Sequence, residues 1–317
     1  MKLGLTLSSE EHGPRRLIEM AVLAEESQFD FVSISDHFHP WIGSQGHSPF
    51  VWSVLGGIAS VTDRVEVGVG VTCPILRIHP AILAQAAATT SLLLDGRLIW
   101  GVGTGENLNE HILGDPWPMY EVRAEMLEES IGLIRRLWTE NSVTHRGDYF
   151  TVEDARILDR PEHPIPIVVS AFGENSAELA ARVGDGLWLS SLNEETITAF
   201  GAAGGSGPIF SQLTLCWGPH KDEAIDLVHR QWPNTGLPGQ LNQELRTMLD
   251  FEQATELVTP EAVAAEVPCG PDPAPVIEKV IEAKDAGVDH LYFHQIGQDQ
   301  EGFIAFWKKE IRDAIGD

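Results

Sequence analysis

The chain has 317 residues, of which 43% are hydrophobic, and a formal net charge of −26 at pH 7. This composition predicts a globular protein with ample core, and the acidic excess argues against nucleic acids and anionic membranes as partners. No apolar run approaches the roughly 20 residues of a membrane-spanning helix. The amino-terminal segment has a short strand pattern rather than that of a signal peptide, and three widely spaced cysteines suggest neither a disulfide framework nor a zinc site. We therefore expect a cytoplasmic protein.

Short β-branched segments alternate with longer helical patterns, which is typical of βα units around a parallel sheet. The predicted strands are Leu3–Leu7, Phe31–Ile34, Val65–Val71, Leu98–Val102, Ile165–Ser170, Leu187–Ser190, Ile209–Cys216 and His290–Phe293. The predicted helices are Pro14–Ser27, Pro49–Val61, Pro80–Leu94, Met119–Trp138, Ser176–Val183, Glu194–Ala203, Lys221–Gln231, Pro273–Ala286 and Gln300–Ile315. Eight βα repeats predict one (β/α)8 barrel, or TIM barrel, that spans residues 1–317 as a single α/β domain.

Two segments exceed what such a barrel requires. The first, 141–160, includes Val143–Phe150, where a Gly-Asp pair predicts the turn of a small hairpin. The second, 232–268, is rich in Pro, Gly and Gln and predicts a lid or a loop-helix excursion above the barrel. Surface decoration is the alternative for both insertions, although long ordered loops in compact domains are often functional.

Catalytic groups of a TIM barrel lie at the carboxyl ends of its strands, so the residues that follow each strand are candidates. These residues are Asp36, His37, Trp41, Thr72, Cys73, Pro74, Thr104, Glu106, Asn109, Ser170, Ala171, Gly173, Ser190, Ser191, His294 and Gln295. They combine polar, compact and aromatic side chains, as a binding site for a small molecule requires.

The segment Ser35–Trp41 places a carboxylate, two imidazoles and an indole directly behind a strand. Such a set can bind a planar redox ring and move protons beside it. His37 follows Asp36 and suits a general base, because imidazole titrates near neutral pH and responds to a neighbouring charge. The histidine spacing in this region matches no familiar ligand motif, so no metal site is predicted.

A second cluster begins at Gly101, Gly103 and Gly105. A dinucleotide-binding loop is rejected, because Glu106 stands where that motif needs its next glycine and its carboxylate would repel a pyrophosphate. The glycines more plausibly let the backbone approach a flat ring closely. Glu106 is then free to donate a proton at that ring. If this cluster shares a rim with His37, the chain is an oxidoreductase.

Five motifs are informative when taken together, namely Ser35–Trp41, Gly46–Phe50, Gly101–Glu110, Gly184–Gly186 and Gly287–His294. They resemble those of the F420-dependent glucose-6-phosphate dehydrogenases, which belong to the luciferase-like monooxygenase superfamily. The resemblance covers nearly the whole chain. It implies a luciferase-like (β/α)8 barrel, a homodimer, and the deazaflavin coenzyme F420 bound at the rim, with a small molecule as substrate.

The resemblance also implies roles for individual residues. His37 would be the base, Trp41 would stabilise the reacting intermediate, Glu106 would supply a proton to the coenzyme, and Asp36 would contact the deazaflavin and substrate. The other positions that it assigns to the coenzyme site are Val71, Thr72, Cys73, Thr104, Gly105, Asn109, Ser170, Ala171, Phe172, Gly173 and Ser190. It further implies a non-prolyl cis peptide at Gly70–Val71.

The substrate pocket departs from the family pattern. Family members that use a sugar phosphate hold it with two lysines and an arginine. The corresponding positions here are Asn193 and, in segments that align poorly, Asn242 and Glu266. Neutral and acidic groups do not hold a phosphate dianion, which normally recruits Arg or Lys. We therefore predict an uncharged alcohol, sugar or related hydroxyl compound as substrate in place of glucose 6-phosphate.

Three alternatives stay open at this point. The chain is an F420-dependent glucose-6-phosphate dehydrogenase proper, an FMN-dependent monooxygenase or methylene-tetrahydromethanopterin reductase of the same superfamily, or a non-catalytic flavin- or deazaflavin-binding protein. The combination of His37, Trp41 and Glu106 favours a dehydrogenase, since a protein that only binds the ring needs no paired acid and base.

Overall fold

The computed structural model describes residues 1–315. Its strands are β1 (Lys2–Leu7), β2 (Phe31–Ile34), β3 (Glu66–Thr72), β4 (Leu98–Val102), β5 (Val143–Arg146), β6 (Thr151–Ala155), β7 (Ile167–Ser170), β8 (Gly186–Leu189), β9 (Ile209–Leu215) and β10 (His290–Gln295). Its helices are α1 (Pro14–Glu26), α2 (Val51–Ala59), α3 (Pro80–Leu93), α4 (Asn107–Glu110), α5 (Tyr120–Thr139), α6 (Glu174–Val183), α7 (Glu194–Ala202), α8 (Lys221–Gln231), α9 (Leu241–Glu244), α10 (Met248–Thr255), α11 (Pro260–Glu266), α12 (Ala274–Asp285), α13 (Gln300–Phe306) and α14 (Arg312–Ile315).

Eight of the strands form a closed parallel barrel in the order β1-β10-β9-β8-β7-β4-β3-β2. The first strand closes it, because β1 pairs with β10 on one side and with β2 on the other. All four residues of β2 and all five of β4 are buried, as expected of strands covered on both faces. The predicted (β/α)8 barrel is therefore confirmed. The short helix α4 was not predicted, because four residues after a glycine-rich run carry no helical periodicity.

Aromatic rings fill the inside of the barrel. Trp188 stacks on Phe210 with ring centroids 4.7 Å apart, and its Nε1 donates a hydrogen bond to the Tyr292 hydroxyl at 2.7 Å. His290 also stacks on Phe210, at 4.1 Å. Because alternate residues of a strand point to one face, His290 and Tyr292 form successive interior layers and His294 continues them at the carboxyl end.

The first insertion is an antiparallel hairpin of β5 and β6. The predicted end at Phe150 was wrong, since the return strand begins at Thr151 and continues to Ala155. The turn between the strands is held by Glu129 of α5, whose carboxylate accepts three successive backbone N–H groups from residues 148–150. Val152 is buried against the core, which fixes the register of the return strand.

The second insertion, 232–268, contains α9, α10 and α11. Its Val258, Val263 and Val267 pack with Trp232 in a small apolar cluster that also includes Val228 of α8. Phe251 of α10 is fully buried beside Leu108 of α4, so the insertion rests on the segment that follows β4. Within residues 1–315 no helix combines the length and the apolar character that crossing a bilayer demands.

Replacing Gly101 by alanine tests the close packing of β4. A Cβ at Gly101 would collide with the Val69 carbonyl oxygen and lie 2.8 Å from Val71 Cγ1, so we expect a loss of about 1–3 kcal/mol in the free energy of unfolding. Gly132→Ala is the matched control, because Gly132 lies on the exposed face of α5 with nothing near the added carbon; it should stabilise by about 0.5–1 kcal/mol. Chemical denaturation of both variants measures the difference, and equal stabilities would contradict the packing argument.

Candidate active site

Two adjoining cavities open among the segments that follow the barrel strands. The first, of about 610 Å³, is lined by residues after β2, β3, β4 and β7. The second, of about 400 Å³, is lined by residues after β8 and by parts of β9, β10 and the second insertion. Glu106, Phe172 and Gln243 line both cavities. A ligand in each cavity would therefore meet the other across the Glu106 carboxylate.

His37 is held by a carboxylate that the sequence analysis missed. Glu10 follows β1, is 2% exposed, and its Oε1 lies 2.7 Å from Nδ1 of His37, while Ser35 Oγ donates a hydrogen bond to the same oxygen at 2.7 Å. Burial opposes charge on the imidazole, but the attraction of Glu10, with smaller contributions from Glu106 and Asp36, raises the pKa of His37 to about 9. The resting site therefore holds an imidazolium against a carboxylate.

The same pairing acts on Glu10. Burial by itself raises the pKa of this carboxyl, but the charge of His37 and the hydrogen bonds from His37 and Ser35 outweigh it and hold the pKa well below its usual range. A signal for Glu10 exists in the sequence. The run Ser8–His12 follows β1 as Asp36 and His37 follow β2, and parallel pairing of β1 with β2 brings the two segments together.

Glu106 faces the other nitrogen of the same ring. Its Oε2 lies 3.9 Å from His37 Nε2, and the Asn109 amide donates to that oxygen at 3.3 Å. Burial raises the pKa of Glu106 to about 6; the His37 charge lowers it, and the charges of Glu10 and Glu110 raise it further. Glu106 can therefore hold or release a proton near neutral pH, as a general acid must.

Asn109 joins the two predicted clusters. Its Oδ1 accepts backbone hydrogen bonds from Phe38 at 2.8 Å and from His39 at 3.1 Å, while its Nδ2 donates a hydrogen bond to Glu106. The segment after β2 is thus tied to α4, and the relative position of His37 and Glu106 is fixed by one amide side chain. The two clusters do share one rim, as the sequence analysis required.

Asp36 belongs to a second buried charge network, around Arg77. The Arg77 guanidinium donates to Asp36 Oδ1 at 2.9 Å and lies 3.5 Å from Glu110, and all three side chains are almost fully buried. Arg77 follows β3 in an irregular segment and was not predicted. The other carboxylate oxygen of Asp36, Oδ2, has no hydrogen-bond partner among residues 1–315, although Asp36 lines the first cavity. It is a buried acceptor in the wall of that cavity.

Trp41 packs its ring edge-on against His37, with centroids 4.7 Å apart and planes at 88°. On its other side Trp41 meets Trp232 of the second insertion at 5.2 Å. Trp41 and Trp232 both line the second cavity, whereas His37 lines the first. The indole of Trp41 therefore fixes the base and forms part of the wall of the neighbouring cavity.

The structure brings most of the predicted coenzyme residues to the first cavity. Those that line it are Asp36, Val71, Cys73, Thr104, Gly105, Asn109, Ser170, Phe172 and Gly173. Thr72 and Ala171 are buried behind the wall, and Ser190 lines the second cavity instead. Gly70–Val71 is a cis peptide, as the resemblance implied. Gly105 has φ +82°, and a Cβ there would press into the Cys73 sulfur, so glycine lets the loop close over this wall.

The three predicted substrate residues divide between two positions. Asn242 and Glu266 line the second cavity. Asn193 does not line it, because this residue caps α7 and its Oδ1 accepts a hydrogen bond from the Thr196 backbone at 2.9 Å. Lys279 of α12, which sequence reasoning missed, is the one Lys or Arg among the described residues that line this cavity. No group of three or more His, Cys, Asp or Glu within residues 1–315 is placed to hold a metal ion.

Comparison with known proteins agrees with this geometry. The sequence profile of the luciferase-like monooxygenase family matches residues 1–290, and the chain belongs to that family. The F420-dependent glucose-6-phosphate dehydrogenase of Segniliparus rotundus is 37% identical, over 98% of this chain and 97% of the relative. The corresponding enzyme of Amycolatopsis mediterranei is 35% identical, again over 98% and 97%. The resemblance predicted from the motifs is confirmed.

Solved structures share the whole barrel. An F420-dependent secondary alcohol dehydrogenase in complex with an F420-acetone adduct superposes with a TM-score of 0.92 at 28% identity, over 100% of this chain and 99% of that chain. The coenzyme F420 dependent tetrahydromethanopterin reductase from Methanopyrus kandleri superposes with a TM-score of 0.78 at 21% identity, over 98% and 97%. The second likeness shows the fold alone.

Replacing Arg77 tests how much the buried charge network contributes to the free energy of unfolding. Arg77→Met leaves Asp36 and Glu110 as buried carboxylates without their cation, and we expect a loss of about 3–5 kcal/mol in the free energy of unfolding. The matched control is Arg182→Met, which breaks the exposed pair with Glu128 and should cost about 0–1 kcal/mol. Urea denaturation compares the two, and a similar small loss in both variants would contradict a structural role for the buried network.

Proposed function

We propose that this chain is an F420-dependent oxidoreductase that transfers a hydride between a hydroxyl-bearing substrate and coenzyme F420. The observation that carries the proposal is the arrangement of Glu10, His37 and Glu106, in which the base lines the first cavity and the acid lines both cavities. The dehydrogenase relatives and the alcohol dehydrogenase structure support the same coenzyme and the same class of reacting group. An FMN-dependent monooxygenase is not favoured by these relatives.

The first cavity fits a deazaflavin with an anionic side chain. Its wall at Val71 and Gly105 is free of bulky polar groups, and Asp36 Oδ2 is an unpaired acceptor suited to a ring N–H. Its lining includes Arg123, whose guanidinium lies 3.5 Å from Glu244, and the amino terminus of α6, whose backbone N–H groups attract an anion. Bound there, F420 would supply the hydride acceptor for the substrate carbon.

The residues of the chain would handle the protons. Because the Glu10 carboxylate can only accept, Nδ1 of His37 carries a hydrogen and Nε2 is the nitrogen that titrates. In oxidation, neutral Nε2 takes the proton of the substrate hydroxyl; in reduction, the imidazolium returns it. Trp41 holds the ring edge-on, and Glu106 keeps a proton 3.9 Å from Nε2 for the developing charge on the reduced coenzyme.

The second cavity would hold an uncharged substrate. Glu266 and Glu282 accompany Lys279 on its lining, so the carboxylates outnumber the one Lys or Arg among the described lining residues. Such a lining repels a phosphate dianion. Asn193 is engaged as a helix cap and brings no cation.

Further proposals concern the state of the protein. We propose that the chain functions as a single-domain cytoplasmic homodimer that binds neither nucleic acid nor membrane. The exposed apolar side chains of Ile82 and Leu93 on α3 support a subunit contact on that helix. The net charge of −26 supports the exclusion of polyanionic partners.

Titration with F420 and with FMN tests the coenzyme. The purified chain should bind F420 in preference to FMN, and loss of the visible absorbance of oxidised F420 should report turnover of uncharged alcohols and not of glucose 6-phosphate. Efficient saturation by glucose 6-phosphate would defeat the substrate proposal alone. Turnover that needs FMN and oxygen would defeat the proposal of an F420-dependent enzyme.

The pH dependence tests His37 as the base. Oxidation needs His37 neutral and Glu106 protonated, and their pKa values are raised to about 9 and about 6. The value of kcat/KM for alcohol oxidation should therefore be level between about pH 6 and pH 9 and fall on either side, with an alkaline limb near pH 9 that is set by His37. In Glu10→Gln the attraction is lost, and this limb should move down toward 6.5, the ordinary pKa of histidine. The reduction reaction needs the imidazolium form of His37. In Glu10→Gln its rate should therefore decline at a lower pH than in the wild type.

Glu19→Gln is the control for this experiment. Glu19 is exposed on α1 and makes only a surface contact with Arg16, so its removal should leave the pH limb in place. A limb that stays near pH 9 in Glu10→Gln, while the protein remains folded, would show that His37 is not the titrating base.

A further inference from the structure

We propose that His294, oriented by Glu11, is the residue that selects substrates carrying a second hydroxyl beside the one that reacts. This inference rests on the proposed function and names the substrate class of the same site, a neutral diol or polyol. Neither Glu11 nor His294 takes part in the proton transfers described above.

Glu11 and His294 form a buried pair that parallels Glu10 and His37. His294 Nε2 lies 3.2 Å from Glu11 Oε2, and Glu11 Oε1 accepts the backbone N–H of Gly297 at 2.8 Å. The two side chains are 3% and 0% exposed. The His294 ring packs edge-on against Trp232 at 4.6 Å, as His37 packs against Trp41. Glu10 and Glu11, which are consecutive in one turn, therefore each orient one histidine ring. Each of these rings packs edge-on against a tryptophan.

The free nitrogen of His294 is available to the second cavity. His294 forms the top layer of the barrel interior, above Tyr292, and lines this cavity. A carboxylate only accepts, so Nε2 carries the hydrogen, and in the neutral ring Nδ1 is left as an acceptor. Among the residues that the structure describes, the side-chain hydrogen bond of His294 is made through Nε2, and Nδ1 makes none. A neutral hydroxyl group can donate a hydrogen bond to such a nitrogen.

The rest of the cavity also suits a substrate with several hydroxyls. Five of the residues that line it have a buried side-chain nitrogen or oxygen without a hydrogen-bond partner in the described part of the chain: Trp41, Ser211, Trp232, Asn234 and Asn242. These buried atoms make the wall of this cavity polar rather than apolar, which agrees with a ligand that carries several hydroxyls.

Kinetics with a matched pair of substrates test the inference, namely 2,3-butanediol and 2-butanol. In the wild type kcat/KM should favour the diol. His294→Phe keeps a flat ring against Trp232 but removes the acceptor, and it should lower the diol-to-monoalcohol ratio about tenfold, the effect of one hydrogen bond. His290→Phe is the control, because it makes the same change two layers down in the barrel and should leave the ratio unchanged.

A second measurement needs no coenzyme. In protein labelled with ¹⁵N-histidine, with His294 assigned by its loss in His294→Phe, we expect the Nε2–H tautomer at pH 8 and a shift of Nδ1 on addition of 2,3-butanediol but not of 2-butanol. Glu11→Gln, which can donate to Nε2, should move the hydrogen to Nδ1. A ring with its hydrogen on Nδ1 in the wild type, or an Nδ1 resonance indifferent to the diol, would overturn the inference.

The outcomes separate this inference from the proposed function. Turnover of both alcohols with F420, at a ratio that His294→Phe leaves unchanged, overturns the role of His294 and keeps the oxidoreductase. Absence of any F420-linked turnover, with the tautomer and the diol shift as expected, overturns the proposed function and supports His294 as the hydroxyl-binding residue.

Discussion

The site depends on a buried ion pair between Glu10 and His37. Burial disfavours the charge of each group taken alone, and their contact at 2.7 Å is the main interaction that stabilises both charges in the barrel. The pair exists because β1 and β2 are parallel neighbours, which places the segments after them side by side. Barrel closure and proton chemistry therefore share one cause, the register between these two strands.

Hydrogen bonds and ion pairs around Glu10 and His37 fix the positions of the polar groups that face this pair. The Asn109 side chain forms hydrogen bonds with the backbone that follows His37 and with the carboxylate of Glu106, so the distance between the base and the acid is fixed. Arg77 neutralises Asp36 on one side and Glu110 on the other, which leaves a single unpaired oxygen of Asp36 at the first cavity. Fixed donors and acceptors of this kind need little reorganisation during a reaction, and such preorganisation is where enzymes gain most of their electrostatic advantage.

The sequence predicted the barrel and much of the rim, because both depend on local patterns. Alternating strand and helix signals located the eight barrel strands, and the residues after β2 and β4 are recognisable from their types alone. Glu10 was missed because its contact with His37 is tertiary and appears only when the β1–β2 register is known. Arg77 was missed since it lies in an irregular segment, and no pattern assigns such a residue a buried partner.

The remaining differences have similar causes. Asn193 is equivalent in sequence to a substrate residue, yet a local hydrogen bond to the start of α7 engages its side chain, and alignment does not reveal that competition. The hairpin was predicted too short because its return strand is fixed by burial of Val152 rather than by the turn. Lys279 comes from an outer helix, whose orientation toward the second cavity depends on packing across the whole barrel.

The turn that holds Glu10 and Glu11 has a consequence for how this enzyme can diversify. Because one stretch of backbone carries the two glutamates that orient His37 and His294, an insertion or deletion there would misplace both histidines at once. The segment 232–268 and Lys279 of α12 line the second cavity, whereas Glu10 and Glu11 belong to the segment that follows β1. New substrates can therefore arise by remodelling one wall, while the proton-handling turn is inherited unchanged.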